Sequence, residues 1–429
     1  MARQTAQPPP APHARVRYDF GVSTASTPLR IALVCLHTSP GAEPGSGDAG
    51  GMNVVVRHQA EAMASLGHTV DILTRRSAPE LPGGVPLAAG VTLRLLDAGP
   101  AEPVPKGDHD GFIEEFRMRM RDLGPYDIIH SHHWFSGMAA LPLARGLGIP
   151  HVQSFHSIAA DESTPLSSGE RPESAGRMSG EAWLAGESDA VVAISGAEAD
   201  TVVTRLVGAR DRVAIVPPGV DGTLFHPAGA PPAGTGYAVV AGRLQPLKGL
   251  DLAIEAIAAV PESIRPELVV AGDASADFDG YVEELTALAA RHGIGHGVRF
   301  VGPQSRASLA ALLRGARLVL IPSHSETFGL VALEGAASGV PVVAADSGGL
   351  REAVVEGETG VVLDSRDPQA WAEAITAILT DPELARRLSL AGRERAEHFD
   401  WPRSGEALLA VYGELLRPTH EQRRMSGGA

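Results

Sequence analysis

The chain has 429 residues, a length that suggests two or three domains. It is 44% hydrophobic and 20% charged, the balance of a soluble globular protein, and no apolar run approaches the roughly 20 residues that cross a bilayer. A net charge of −15 and a single cysteine, Cys35, disfavour broad nucleic-acid binding and exclude an internal disulfide framework or a cysteine-based zinc site.

Residues 1–27 are rich in Pro, Ala and Arg and carry no apolar stretch, so they read as a tail without a secretory signal; a reducing cytoplasm fits. Short apolar, β-rich runs follow at 30–37, 69–74, 92–96, 127–132, 151–156, 190–194 and 213–217. Amphipathic segments lie between them, among them 54–66, which stops at Gly67 as a helix does. Residues 226–236 have a linker composition. The alternation then restarts, with strands expected at 237–242, 267–272, 298–301, 318–322, 341–345 and 360–363. Helices are expected at 250–259, 281–292, 308–314, 330–338, 368–379, 382–398 and 404–416, before a frayed tail at 418–429. Buried strands joined by helical crossovers form parallel sheets. The expected fold is α/β with two Rossmann-like domains facing across a cleft: residues 28–225, and residues 226–400 with 401–417 crossing back.

Ligands in such sheets bind beyond the carboxyl ends of the strands, so motifs that follow strands carry most weight. Gly45-Ser46-Gly47-Asp48-Ala49-Gly50 matches a dinucleotide fingerprint in letters. The true motif sits at the strand–helix turn; here Thr38–Pro44 intervene after His37, and the second strand ends in Thr74-Arg75-Arg76 without an acid. A long glycine loop whose amides near Gly51–Asn53 face an anion is the better reading. His130 and His132 share one face of a strand and with His133 read as cleft-lining groups rather than metal ligands. His156 ends the next strand and can donate to a substrate hydroxyl or to developing charge.

In the second half, Gly242-Arg243-Leu-Gln-Pro-Leu-Lys248-Gly249 places a fork and a point charge before a helix, which suits a diphosphate. Lysine plus arginine total 36, and only Lys106 and Lys248 are lysines; two survivors in an arginine-dominated chain mark either sites that need a compact charge or chance. Glu326 and Glu334 stand eight residues apart, the same face of a helix two turns on, and can hold hydroxyls of a sugar and a ribose. The amides of Thr327, Phe328, Gly329 and Leu330 suit a phosphate. Asp277-Phe278-Asp279 is a literal D-x-D in an acidic segment, and Arg243 and Lys248 make a metal unnecessary there.

Together, G-R-L-Q-P-L-K-G with E-x7-E in the second half and G-G-M-N with a distant His156-Ser157 in the first resemble the retaining GT-B glycosyltransferases of family 4, over about residues 28–417. H-T-S-P, P-G-S-G-D-A-G-G-M-N, D-A-G-P and I-H-S-H-x-W-x-S-G occur in the order of the branch that glycosylates an inositol phosphate. The resemblance implies that Gly51, Arg243 and Lys248 contact the donor diphosphate, Glu334 the ribose, Glu326 and His156 the transferred sugar, and Gln304 the base. It places His37, Asp48, Asn53, Lys106, His133, Ser157 and Arg177 on the acceptor side. It implies transfer of a sugar, N-acetylglucosamine from UDP-N-acetylglucosamine, to a small phosphorylated cyclitol such as inositol 3-phosphate. Alternatives are a paralogue with another UDP- or GDP-sugar and acceptor, a nucleotide-sugar epimerase, or a sugar-nucleotide sensor. No metal cofactor is required, magnesium is not implied, and no nucleic acid or integral membrane partner is expected; the family favours dimers. The family's tyrosine position holds His133, and Ala160-Asp161-Glu162-Ser163 replaces its V-K-N.

Overall fold

The computed structural model describes residues 27–43, 49–160, 174–228, 236–274, 278 and 280–417. The first half runs β1 (Arg30–Cys35), α1 (Gly51–Ser65), β2 (Thr69–Arg75), β3 (Gly84–Ala88), β4 (Val91–Leu96), α2 (Ile113–Met120), β5 (Ile128–His132), α3 (Trp134–Leu147), β6 (His151–Ser154), α4 (Arg177–Glu187), β7 (Ala190–Ala193), α5 (Gly196–Thr204) and β8 (Val213–Ile215). The second runs β9 (Tyr237–Ala241), α6 (Leu250–Ala259), β10 (Glu267–Ala271), α7 (Tyr281–Arg291), β11 (Val298–Phe300), α8 (Arg306–Arg314), β12 (Leu318–Ile321), α9 (Leu330–Ala337), β13 (Val342–Ala345), α10 (Leu350–Ala353), β14 (Val361–Leu363), α11 (Pro368–Thr380), α12 (Pro382–Ala396) and α13 (Trp401–Leu415).

The eight-stranded sheet has the order β3-β4-β2-β1-β5-β6-β7-β8, and the six-stranded sheet β11-β10-β9-β12-β13-β14. Only β3 is antiparallel. It was not expected from sequence, because Pro86 breaks its pattern; proline is tolerated at an edge, where no ladder donor is needed. Strand order reverses between β1 and β5 and between β9 and β12, and crevices open where two neighbouring strands send their crossovers to opposite faces. Ile31–Cys35 are inaccessible to solvent, because helices cover both sheet faces, which is why β1 reads as an unbroken apolar run rather than an alternating one.

Several element ends differ from expectation. β1 stops at Cys35 and β6 at Ser154, so His37 and His156 lie in turns beyond their strands. α1 begins at Gly51, three residues before 54, so Gly51–Asn53 form its first turn. α2 and α3 carried no clear signal: α2 is short, and α3 is buried on most sides and contains Pro142.

α13 lies against α1, so close that a Cβ on Gly405 would stand 2.7 Å from that of Ala62. Gln59 Nε2 donates to Ser404 Oγ at 3.0 Å, and Ala407, Leu408 and Tyr412 enter the core under the first sheet. The proton order at Tyr412 follows from its neighbours. Ser154 Oγ donates to Val192 O (2.8 Å), so it accepts from His130 Nε2–H (2.9 Å). Burial keeps His130 neutral by pushing its pKa well down, leaving Nδ1 to accept the Tyr412 hydroxyl at 2.7 Å. Tyr412→Phe orphans that nitrogen and is expected to destabilise the protein by about 1–3 kcal/mol, read as a lower urea midpoint; an unchanged midpoint would refute the bond's contribution.

Candidate active site

The turns after β1, β5, β6, β9 and β12 meet in one cleft between the two sheets. It encloses about 310 Å³, at the lower end of the range for small-ligand sites.

On the second-sheet side, the chain leaves β9 through Gly242 and Arg243, makes a single turn at Pro246–Lys248 and enters α6. Gly249 has φ +63°, and a Cβ there would overlap the Pro322 carbonyl, so this turn needs glycine. Lys248 Nζ forms an ion pair with Glu326 Oε1, which also accepts from Ser323 Oγ at 3.2 Å. Glu326 is not on the helix with Glu334, contrary to the spacing argument: α9 starts at Leu330, and Glu326 lies in the preceding turn. That turn is buttressed from behind. Gly349 N donates to Glu326 O at 2.8 Å, and Ser347 Oγ to Ser323 O at 3.0 Å. A Cβ on Gly348 or Gly349 would overlap the carbonyls of Glu326 or Thr327.

Glu334 is buried on α9. Its Oε1 accepts from Arg306 Nη1 at 2.5 Å, while Oε2 has no partner among the described residues. A buried carboxylate oxygen left open toward a cleft is suited to a ligand hydroxyl. Arg306 stacks over Phe225 at 4.7 Å. Sequence reasoning missed Arg306 and the Ser347-Gly348-Gly349 buttress. A usable signal was Ser305, which caps α8 by accepting from Ser308 N at 3.2 Å and so moves the helix start to Arg306. Gln304 lines the cleft and donates to Val301 O at 2.8 Å.

The facing side is built by α1 and the ends of β1, β5 and β6. A Cβ on Gly51 would lie 3.3 Å from Leu330 Cδ1, and one on Gly50 3.7 Å from Arg243 Nε, both across the cleft. The first turn of α1 therefore stands within side-chain contact of the opposite domain. Asn53 Nδ2 donates to Thr38 Oγ1 (2.9 Å) and Ser39 O (2.7 Å), and its Oδ1 has no partner among the described residues. His37 and His133 have ring centroids 4.3 Å apart and share the cleft wall with Lys106 and Ser157. Burial lowers both imidazole pKa values well below the usual range, reinforced at each by Lys106 and Arg177. Despite a net charge of −15, Lys106 and Arg177 make this end of the cleft cationic, a field that favours an anionic ligand.

His156, with φ +58°, stands at the junction. Its carbonyl accepts Thr327 Oγ1 at 2.7 Å from the opposite domain, and burial lowers its pKa to about 3. The domains are also joined where Glu352 Oε1 accepts from Gly196 N (2.7 Å) and Ala197 N (3.2 Å) at the start of α5.

All expected donor-side residues therefore line one cleft: Gly51, Arg243, Lys248, Gln304, Glu326, Thr327, Phe328, Gly329, Leu330 and Glu334. His37, Asn53, Lys106, His133, Ser157 and His156 line it too. Arg177 does not. Its Nε donates to Glu181 at 2.8 Å and its Nη2 to Ser157 O at 3.0 Å and Oγ at 3.2 Å, so it braces Ser157 from behind. His130 and His132 are buried behind the cleft rather than lining it. Asp48, Asp161–Ser163, Asp277 and Asp279 lie outside the described residues.

The family model for Glycosyltransferase Family 4 matches residues 49–223, and that for Glycosyl transferases group 1 matches 223–395. The D-inositol 3-phosphate glycosyltransferase of Acidothermus cellulolyticus is 39% identical over 97% of this chain and 96% of its own length. D-inositol 3-phosphate glycosyltransferase 1 of Catenulispora acidiphila is 40% identical over 91% and 97%. Among solved structures, sucrose-phosphate synthase of Thermosynechococcus elongatus superposes with a TM-score of 0.81 at 29% identity, covering 90% of this chain and 99% of that one. Anabaena Alr3699/HepE, in complex with UDP and glucose, shares the fold at 19% identity with a TM-score of 0.71, over 90% and 100%. Carried by these matches along nearly its whole length, the chain belongs to glycosyltransferase family 4 and is a GT-B glycosyltransferase of the D-inositol 3-phosphate glycosyltransferase family.

Proposed function

We propose that this glycosyltransferase moves N-acetylglucosamine from UDP-N-acetylglucosamine to a hydroxyl of inositol 3-phosphate with retention of configuration. The observation that carries this reading is the pairing of cationic groups at the two ends of one cleft. Arg243 and Lys248 stand on one side of it and Lys106 on the other, beside the neutral His37–His133 pair. Two separated cationic ends fit a diphosphate donor and a phosphorylated acceptor. The names of the relatives support the acceptor.

In the reaction, the bond between the anomeric carbon and the diphosphate oxygen breaks. The acceptor oxygen bonds to that carbon on the same face, and its proton passes to the departing phosphate. Arg243, Lys248 and the amides at the starts of α1 and α9 stabilise the charge that grows on the leaving group. These groups supply the charge a divalent cation would, so no metal cofactor is invoked. Glu334 Oε2 takes a ribose hydroxyl, Glu326 a sugar hydroxyl, and His156 the sugar near the reacting carbon. Closure of the cleft excludes water. We place the reaction in the cytoplasm, where a nucleotide sugar is supplied, and the resemblance to family 4 favours a dimer.

His133, standing where the family has tyrosine, supports a second reading: the same donor chemistry with a different small acceptor. Calorimetric titration with UDP, GDP and their N-acetylglucosamine and glucose conjugates, followed by inositol 3-phosphate, separates the two. Binding of UDP-N-acetylglucosamine with UDP release only after inositol 3-phosphate is the expected result. Donor binding without turnover on that acceptor favours the second reading, and a β-linked product overturns retention.

A further inference from the structure

His132 is fully buried behind the cleft, and the substrate-facing chemistry described so far makes no use of it. Its Nδ1 lies 2.8 Å from Nε2 of His156, with the rings 5.1 Å apart and inclined by 31°. Two ring nitrogens remain, His132 Nε2 and His156 Nδ1, and neither has a partner among the described residues. His130 lies against His132 with centroids 4.3 Å apart, and its own two nitrogens are committed to Tyr412 and Ser154.

Burial pushes both pKa values down, so both rings are neutral and share one proton across the 2.8 Å contact. Two arrangements satisfy it. If His156 donates, His132 must carry its own proton on Nε2, an N–H buried where no ligand in the cleft reaches it. If His132 donates, the spare N–H falls on His156 Nδ1, itself buried but on a ring that borders the cleft. An unpaired buried donor is costly, and only in the second arrangement can a bound substrate remove that cost.

We propose that His132 is a positioning residue: its Nδ1–H donates to His156 Nε2 and thereby fixes His156 as an Nδ1–H donor toward the substrate. The inference rests on the reading of His156 as a substrate contact. Around metal-bound histidines, hydrogen-bonded partners that fix ring orientation and tautomer are worth roughly 10–100-fold in affinity or activity, and we expect the same scale here.

His132→Phe keeps a ring against His130 and removes the bond. It should lower kcat roughly 10–100-fold with KM for donor and acceptor little changed. His132→Asn, which can still donate at the Nδ1 position, should recover most of the rate. Long-range proton–nitrogen NMR of wild-type protein should show His156 protonated at Nδ1, a signature lost in His132→Phe. In a His156→Ala background, His132→Phe should add nothing. Wild-type kcat in His132→Phe, equal losses in the Phe and Asn variants, or an Nε2–H tautomer for wild-type His156 each overturn the proposal. If His156→Ala alone turns over normally, the reading of His156 as a substrate contact fails instead; the NMR tautomer distinguishes the two failures. The NMR measurement needs no variant, so a misfolded His132→Phe leaves the test intact.

Discussion

Lys248→Met is expected to lower kcat/KM for the nucleotide sugar by about 10²–10³-fold, the scale of removing one preorganised stabiliser of transition-state charge. Methionine keeps the length of the side chain while deleting the ammonium group. Two effects act together. The leaving diphosphate loses a point charge, and Glu326 loses its ion-pair partner, keeping Ser323 Oγ at 3.2 Å. Lys248→Arg restores the charge but not its compactness, and a planar fork fits poorly between Glu326 and a phosphate. We expect it to recover only part of the rate. Steady-state release of UDP, the leaving group of the proposed donor, measures all three enzymes. A Lys248→Met rate within threefold of wild type would remove Lys248 from the donor site. A fully active Lys248→Arg would make the survival of lysine at this position an accident of composition.

Stability is expected to fall steeply as pH drops below about 6.5, the ordinary histidine value. His130, His132, His133 and His151 are all buried, and burial lowers each pKa, that of His151 to about 3. The sign follows from proton counts. Above pH 6.5 these histidines are neutral in both states, and their contribution is fully present. Below it the unfolded chain takes up protons that the folded one does not, so unfolding is favoured progressively until the folded values are reached. One pH unit below 6.5, each such group costs about 1.4 kcal/mol. Four of them rival a typical total stability of ~5–15 kcal/mol. Glu198 acts in the opposite sense: burial raises its pKa to about 7, so its contribution is present at low pH and lost as pH rises through 7. One carboxyl does not offset four imidazoles. Urea unfolding at pH 7.0 and 5.5 tests this, and equal free energies at the two values would refute it.

Sequence by itself determined the two α/β halves and the turns that bear the site. These are local signals. Buried parallel strands are apolar runs punctuated by glycine and proline, and Gly249 is written into the chain because its turn demands it. Residue type and position after a strand likewise sufficed to bring His156, Arg243, Lys248, Glu326 and Glu334 to one cleft, and the family resemblance added Lys106.

Partnerships between distant segments were decided only by the tertiary structure. Arg306 meets Glu334 across 28 residues, Tyr412 meets His130 across 282, and the Glu326 turn rests on Gly348 and Gly349. Helical spacing put Glu326 and Glu334 on one helix face, but the helix begins at Leu330 because Gly329, at φ +102°, ends the turn before it. Arg177, which the resemblance places on the acceptor side, binds Glu181 and Ser157 and stands behind Ser157 rather than in the cleft lining. In each case the deciding quantity was which buried polar group needed a partner, and what stood within 3 Å of it once both sheets had packed. Spacing along the chain carries no information about that, because the partner arrives from another crossover.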